Sequence, residues 1–390
     1  MKKIIFTSLH LYIFTCLSTL LGGFGGAFAC FAQSFALPDG NYKVTVQIDD
    51  PANTWVRAES RRLLFQPPNH QITKSPNHSC EATTTFTVNK RSPRIDETTR
   101  IKIKDRERGY LNWDDSLTID ICGEGAKAKI LSIEPDTNAI TLFLCGNSTV
   151  VDQENEPWAS WGQMMPRWWT DSVCIANYAE SGERTTSFIA ANRWAKVMAE
   201  CRPGDYIFIE FGHNDEKDRG PGTGAWYNFT TNLKRMVDEA RAKQCHVVLI
   251  TPTARRKFVD GHNANTHGDY PAAVAQLCER EGVPMIDLTT MSTQLFDTFG
   301  EEGSKQLLVH YPAGTYPGQT TAFADNTHFN TFGAYEISKC VVMGIKALKL
   351  PIVKYLRSDW QDFSPLHPDD PKDWHWPDAD SIEIAKPDGN

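Results

Sequence analysis

The sequence predicts an α/β protein in two parts. A small antiparallel β-sandwich is expected over residues 33–137. A parallel sheet covered by helices on both faces is expected over residues 138–350. Two changes of rhythm along the chain and its overall composition lead to this reading. From Gly40 to Ile133 the apolar residues mostly alternate, as in Tyr42-Lys43-Val44-Thr45-Val46-Gln47-Ile48. From Ala139 compact apolar runs alternate with stretches whose apolar residues recur every three or four positions. With 41% hydrophobic, 11% aromatic and 23% charged residues in 390, the chain has ample material for a core and is not disordered.

The first element in order is a leader. Lys2 and Lys3 precede an apolar run to about Leu21, then small residues ending at Ala27-Phe28-Ala29-Cys30-Phe31-Ala32. This is the layout of a secretory signal over residues 1–32, with cleavage after Ala29 or after Ala32, and it implies a secreted or periplasmic protein. An uncleaved membrane anchor is the alternative. Cys30 also stands where a lipid-attachment cysteine would, although bulky Phe28 two residues earlier fits that pattern poorly. No stretch beyond residue 32 is long and apolar enough to span a bilayer.

The sandwich is read from the period-two runs at Tyr42–Ile48, Thr83–Val88, Arg100–Lys104 and Ser116–Ile121, separated by Asp, Asn, Pro and Gly clusters. Such a domain binds sugar or simply packs against the second part of the chain. The strands of that second part are Ile140–Leu144, Val173–Tyr178, Tyr206–Phe211, His246–Ile250 and Pro284–Leu288. Helices are expected at Ala190–Glu200, Trp226–Lys243, Tyr270–Glu281 and Thr331–Leu348. Residues 351–390, rich in Pro, Asp and Trp, read as an irregular tail on the surface of the second domain.

A net charge of −8 with no long basic run excludes a nucleic-acid partner, because that affinity comes largely from neutralising phosphates. Without Cys16 and Cys30, the cysteines at 80, 122, 145, 174, 201, 245, 278 and 340 are widely spaced, several inside apolar runs. Free buried thiols are expected rather than a disulfide framework. No Cys/His spacing suited to zinc occurs, and His262 and His267 lack a usual ligand spacing, so neither a metal nor a cofactor is expected.

Ligands of open α/β sheets bind beyond the carboxyl ends of the strands. There the sequence places Gly146-Asn147-Ser148, then Glu180-Ser181-Gly182, then Gly212-His213-Asn214, and near the end Asp325-Asn326-Thr327-His328. In their order these four segments resemble the SGNH or GDSL hydrolases, and most of all the rhamnogalacturonan acetylesterases. Trp161-Gly162-Gln163, Asn177-Tyr178-Ala179 and Thr266-His267-Gly268-Asp269-Tyr270 add to the likeness, which runs from about Ile140 to the end. The resemblance implies a flavodoxin-like three-layer α/β/α fold, an accessory sandwich as in some bacterial members, and esterase activity without a cofactor.

A serine hydroxyl becomes nucleophilic when a neighbouring base takes its proton, and histidine suits that task near neutrality. Ser148, expected where a strand turns into a helix, is the candidate nucleophile and His328 the base. Asp325 would orient the imidazole. The resemblance implies an oxyanion hole from the amides of Ser148 and Gly182 and the carboxamide of Asn214. The family usually has Asp before the nucleophile, where this chain has Asn147. Retained activity with an altered pH profile is expected. Asn147-Ser148-Thr149 also matches the glycosylation pattern, in a turn expected to be buried.

For substrate binding the candidates are Arg184, Arg255 and Arg256, whose guanidinium groups match carboxylates, with Trp158 to stack a sugar. Lys217 and Arg219 are further cations in the same region. The expected partner is an acetylated acidic polysaccharide or oligosaccharide, with no membrane contact after leader removal. An acetylxylan or other small-acyl esterase of the same fold is the near alternative. From another class, a carbohydrate-binding protein with a vestigial site is the alternative.

Overall fold

The computed structural model describes residues 29–67, 82–123, 125–377 and 382–388. The expected leader, apart from its last four residues, and Cys16 and Cys80 lie outside them. The amino-terminal half contributes β1 (Ala29–Ala36), β2 (Gly40–Ile48), β3 (Trp55–Ala58), β4 (Arg62–Phe65), β5 (Ala82–Lys90), β6 (Ser116–Gly123) and β7 (Ala128–Pro135). The carboxyl-terminal half runs β8 (Ile140–Cys145), α1 (Trp161–Met164), β9 (Val173–Asn177), α2 (Thr185–Ala190), α3 (Arg193–Glu200), β10 (Tyr206–Glu210), α4 (Thr230–Ala242) and β11 (His246–Ile250). A two-residue hairpin, β12 (Phe258–Val259) and β13 (His262–Asn263), precedes α5 (Tyr270–Glu281), β14 (Met285–Ile286) and α6 (Leu288–Gly303). The last elements are β15 (Leu308–Tyr311), β16 (Phe323–Phe329) and α7 (Thr331–Ala347).

The central sheet has eight strands in the order β14-β11-β10-β8-β9-β5-β2-β7. The five strands from β14 to β9 are parallel. Alternate residues of β8 explain why its whole run is apolar. Leu142 and Leu144 pack with α6 and α7 on one face, while Phe143 and Cys145 pack with α3, α4 and α5 on the other. Helix α7 is buried almost all round, because the sheet lies on one side and the tail residues Ile352, Phe363 and Trp374 cover the other.

The amino-terminal strands do alternate, and one of their two packed sheets continues the central sheet. β5 joins β9 in parallel through Val88 and Ile175, so β5, β2 and β7 extend the central sheet. A four-stranded sheet, β1-β6-β3-β4, packs on that extension across Val44, Val46, Ile48, Val56, Phe86, Leu117 and Ile119. Alternation reports which face of a strand is buried, not which neighbour its edge bonds, and so a shared sheet reads like an independent sandwich.

Residues 29–32, at the end of the expected leader, lie in β1, whose pairing with β6 begins at Ala29 and Gly123. Further expectations are corrected. Cys30 is bonded to Cys122, which leaves it no thiol for a lipid. The other described cysteines, 145, 174, 201, 245, 278 and 340, are free and buried, as expected. Ile101–Lys104 is extended but not part of a ladder. Single bonds from Ile101 N to Pro93 O and Lys102 N to Ala191 O pin it. The helix expected at Ala190–Glu200 is two helices broken at Asn192, whose φ is 63°. Helix α6, interrupted at Gly300 where φ is 70°, covers residues for which the sequence reading expects no element.

Burial pushes several carboxyls upward: Glu59 to about 8, Glu180, Glu210 and Glu336 to about 7, and Asp215 to about 6. Each folded-state value exceeds that of the unfolded chain. The stability they permit is therefore full at about pH 4 and is lost as pH rises through 6–8. Below about pH 4 the depressed Asp325 works the other way. The melting temperature is expected to be higher at pH 5 than at pH 8. A higher value at pH 8 in thermal melts would refute this.

Candidate active site

The chain leaves β8 through a tight turn rather than a helix; the next helix is α1. The turn depends on the lack of a side chain at Gly146, where a Cβ would lie 2.5 Å from Val150 Cγ2 and 2.8 Å from Glu210 O. Asn147 Oδ1 accepts from the Thr149 amide and hydroxyl, both at 3.0 Å, which an aspartate oxygen would also do. Its Nδ2 is buried without a partner, and the side chain is fully inaccessible to a glycosylating enzyme. The Ser148 carbonyl is held by Ser160 Oγ at 2.6 Å and Gln153 Nε2 at 3.2 Å.

Ser148 Oγ lies 2.9 Å from His328 Nε2, and His328 Nδ1 lies 2.8 Å from Asp325 Oδ2. Asp325 and His328 are both on β16, three residues apart. A regular strand would send them to opposite faces, but the β15–β16 register shifts between Leu308 and His310. Asp325 Oδ1 closes the distortion by accepting the Thr327 and His328 amides at 2.7 and 2.9 Å. Burial would raise the Asp325 carboxyl, but the hydrogen bond and charge of His328, with the two amides, hold it well below the usual carboxylate range.

Gly182 follows β9 with φ at +79°, a conformation that suits glycine. Asn214 follows β10; its Nδ2 donates to Glu183 O at 3.0 Å and its Oδ1 accepts from Lys217 Nζ at 3.2 Å, which fixes the amide orientation. Among the described residues the Ser148 and Gly182 amides donate no hydrogen bond, so both remain available to an oxyanion. The three segments thus stand at the ends of adjacent strands β9, β8 and β10.

The substrate-binding candidates fare differently. Trp158 is 3% exposed and meets the edge of His328 with ring centres 5.7 Å apart, so it supports the imidazole and has no free face for a sugar. Arg256 is bound to Asn326 and Glu301 O, and Arg255 to Glu216 and His213 O. Arg184 is exposed but paired with Asp218. Near the site, Trp226 and Tyr227 have open ring faces, 44% and 63% exposed. They line a cavity of about 500 Å³ with Glu216, Lys217 and His267, next to Asn214.

Sequence reading missed three features. Glu210, beneath the turn, accepts from Trp161 Nε1, Thr149 Oγ1 and the Thr253 amide. Arg61 in the β3–β4 turn and Arg62 at the start of β4 hold the loop after Ser148 through Glu156, Gln153 O, Trp158 O and Asp152. Residues 382–388 cross the mouth of the site: Trp158 Nε1 donates to Glu383 O at 3.0 Å and Lys386 Nζ lies 3.2 Å from Asp325 Oδ2. Only the Glu210 position, a lone acid ending an apolar strand, carried a signal in the sequence.

A hydroxyl, an imidazole and a carboxylate joined in series beside free amides can cleave an acyl bond. The GDSL-like lipase/acylhydrolase family model matches residues 144–334, and the chain belongs to that family. It is an esterase. The chain is 37% identical over 222 residues to rhamnogalacturonan acetylesterase RhgT of Bacillus subtilis, covering 56% of this chain and 95% of that one. It is 32% identical over 218 residues to the probable rhamnogalacturonan acetylesterase YesY of the same organism, covering 55% and 95%. The crystal structure of YxiM from Bacillus subtilis matches the fold over 82% of this chain and 81% of that chain, with a TM-score of 0.50 at 22% identity.

Proposed function

We propose that this chain is a secreted serine esterase that removes acetyl groups from a galacturonate-containing polysaccharide. The observation that carries the reading is the continuous hydrogen-bonded series Ser148–His328–Asp325. Ser148 Oγ attacks the acetyl carbonyl carbon while its proton passes to His328 Nε2. The amides of Ser148 and Gly182 and the Asn214 carboxamide hold the oxyanion. Collapse breaks the bond to the sugar oxygen, which leaves with the proton from His328. Water, deprotonated by His328, then releases acetate from the acyl-enzyme and restores the serine.

The names of the relatives support a pectic substrate, and Trp226 and Tyr227 offer rings on which sugars stack. The Cys30–Cys122 disulfide supports export, since such bonds persist in oxidising compartments. Among the described residues no helix is long and apolar enough to cross a membrane. The test is acetate release from acetylated pectins, acetylated xylans and small acetate esters, with Ser148→Ala as control. Pectic substrates are expected to give the highest kcat/KM. Faster turnover of xylans would refute the substrate, and no turnover of any ester would refute catalysis.

A further inference from the structure

The pinned segment 101–104 ends at Lys104, and the turn after it carries Arg106. Both come from outside the residues 144–334 that the family model matches. Both side chains reach the oxyanion glycine. Lys104 Nζ donates to Ser181 O and lies 3.5 Å from Glu183 Oε1, while Arg106 binds Glu180 and, at 3.2 Å, Ser181 O. An ammonium has three donors and a guanidinium five, so these contacts leave donors over. The remaining contacts go to one carboxylate: Asp388 Oδ2 lies 3.6 Å from Lys104 Nζ and 3.6 Å from Arg106 Nη1. Arg106 Nε is buried without a partner.

Asp388 lies directly over the oxyanion glycine, since a Cβ on Gly182 would come within 2.8 Å of Asp388 Cβ. The chain's own tail therefore holds a carboxylate against two cations beside the position of the reacting carbonyl. Ser148, His328 and Asn214 are each no more than 2% exposed. Residues 382–388 lie over part of this site, with Glu383 bonded to Trp158 and Lys386 beside Asp325.

We propose that Lys104 and Arg106 form a carboxylate subsite that reads a uronate beside the acetylated carbon, and that Asp388 is its internal occupant, displaced by substrate. This rests on the proposed pectic substrate and names the residues that would give specificity for it. Glu180 and Glu183 hold the two cations in place, and Asp388, 57% exposed at its side chain, is the partner free to leave.

Binding tests the subsite apart from the reaction. Unacetylated trigalacturonate is titrated calorimetrically into full-length Ser148→Ala protein, and into the same protein carrying Lys104→Met with Arg106→Gln, or Asp388→Asn. The cation pair change is expected to weaken binding about tenfold or more. Asp388→Asn is expected to tighten it about threefold, because the subsite is no longer occupied internally. The fully methyl-esterified trisaccharide is expected to respond to neither. Equal weakening of both ligands, no binding of the acid, or no response to Asp388→Asn would overturn the proposal. Asp388 is exposed, so its variant is informative even if the cation variant fails to melt cooperatively. Hydrolysis confined to acetylated xylan would remove the pectic reading, while trigalacturonate binding would still report on the subsite.

Discussion

Ser148→Ala is expected to lower kcat for acetate release by at least about 10⁴-fold while leaving the melting temperature nearly unchanged. The hydroxyl is 2.9 Å from His328 Nε2, and alanine removes the atom proposed to form the acyl bond. The turn itself rests on Gly146, Asn147 and the Ser148 carbonyl, none of which depends on the side chain removed. With a slowly deacylated ester, mass spectrometry should find one added acyl group on the unaltered protein and none on the variant. Acetate release by Ser148→Ala equal to that of the unaltered protein would remove the nucleophile assignment.

Asp325→Asn is expected to lower kcat by about 10³–10⁴-fold with the fold intact. An asparagine Oδ1 can keep the bonds from the Thr327 and His328 amides, so the β16 distortion survives. Its Nδ2 then faces His328 Nδ1 where a carboxylate oxygen stood. That donor forces the ring proton onto Nε2, which turns the atom facing Ser148 from an acceptor into a donor. The serine proton has nowhere to go. A fall of less than about tenfold, read from initial rates at saturating ester, would show that Asp325 does not set the tautomer.

Much of the site was legible because its residues lie where the chain must turn. Ser148, Gly182 and Asn214 follow three apolar strands, and strand ends are readable from a break in hydrophobicity. Asp325 and His328 were legible as a motif, but not as neighbours on a distorted strand, because a bulge is a relation between two strands. Lys104 read as the end of an alternating segment and Arg106 as part of the linker after it, and nothing local ties either to Gly182. Trp158 shows the reverse error, since aromaticity is visible in a sequence and its 3% exposure is not.

The sequence by itself determined the α/β order of the second half, the two-faced burial of its strands and the residue types at their carboxyl ends. Periodicity and composition are local quantities that survive without a partner. Tertiary structure alone decided that β5 bonds β9 and merges the two halves into one sheet. It also decided that the β3–β4 turn braces the loop after Ser148 and that the tail lays a carboxylate over Gly182. Each of these joins segments far apart in the chain, through edge hydrogen bonds or charges whose partners only folding brings within reach.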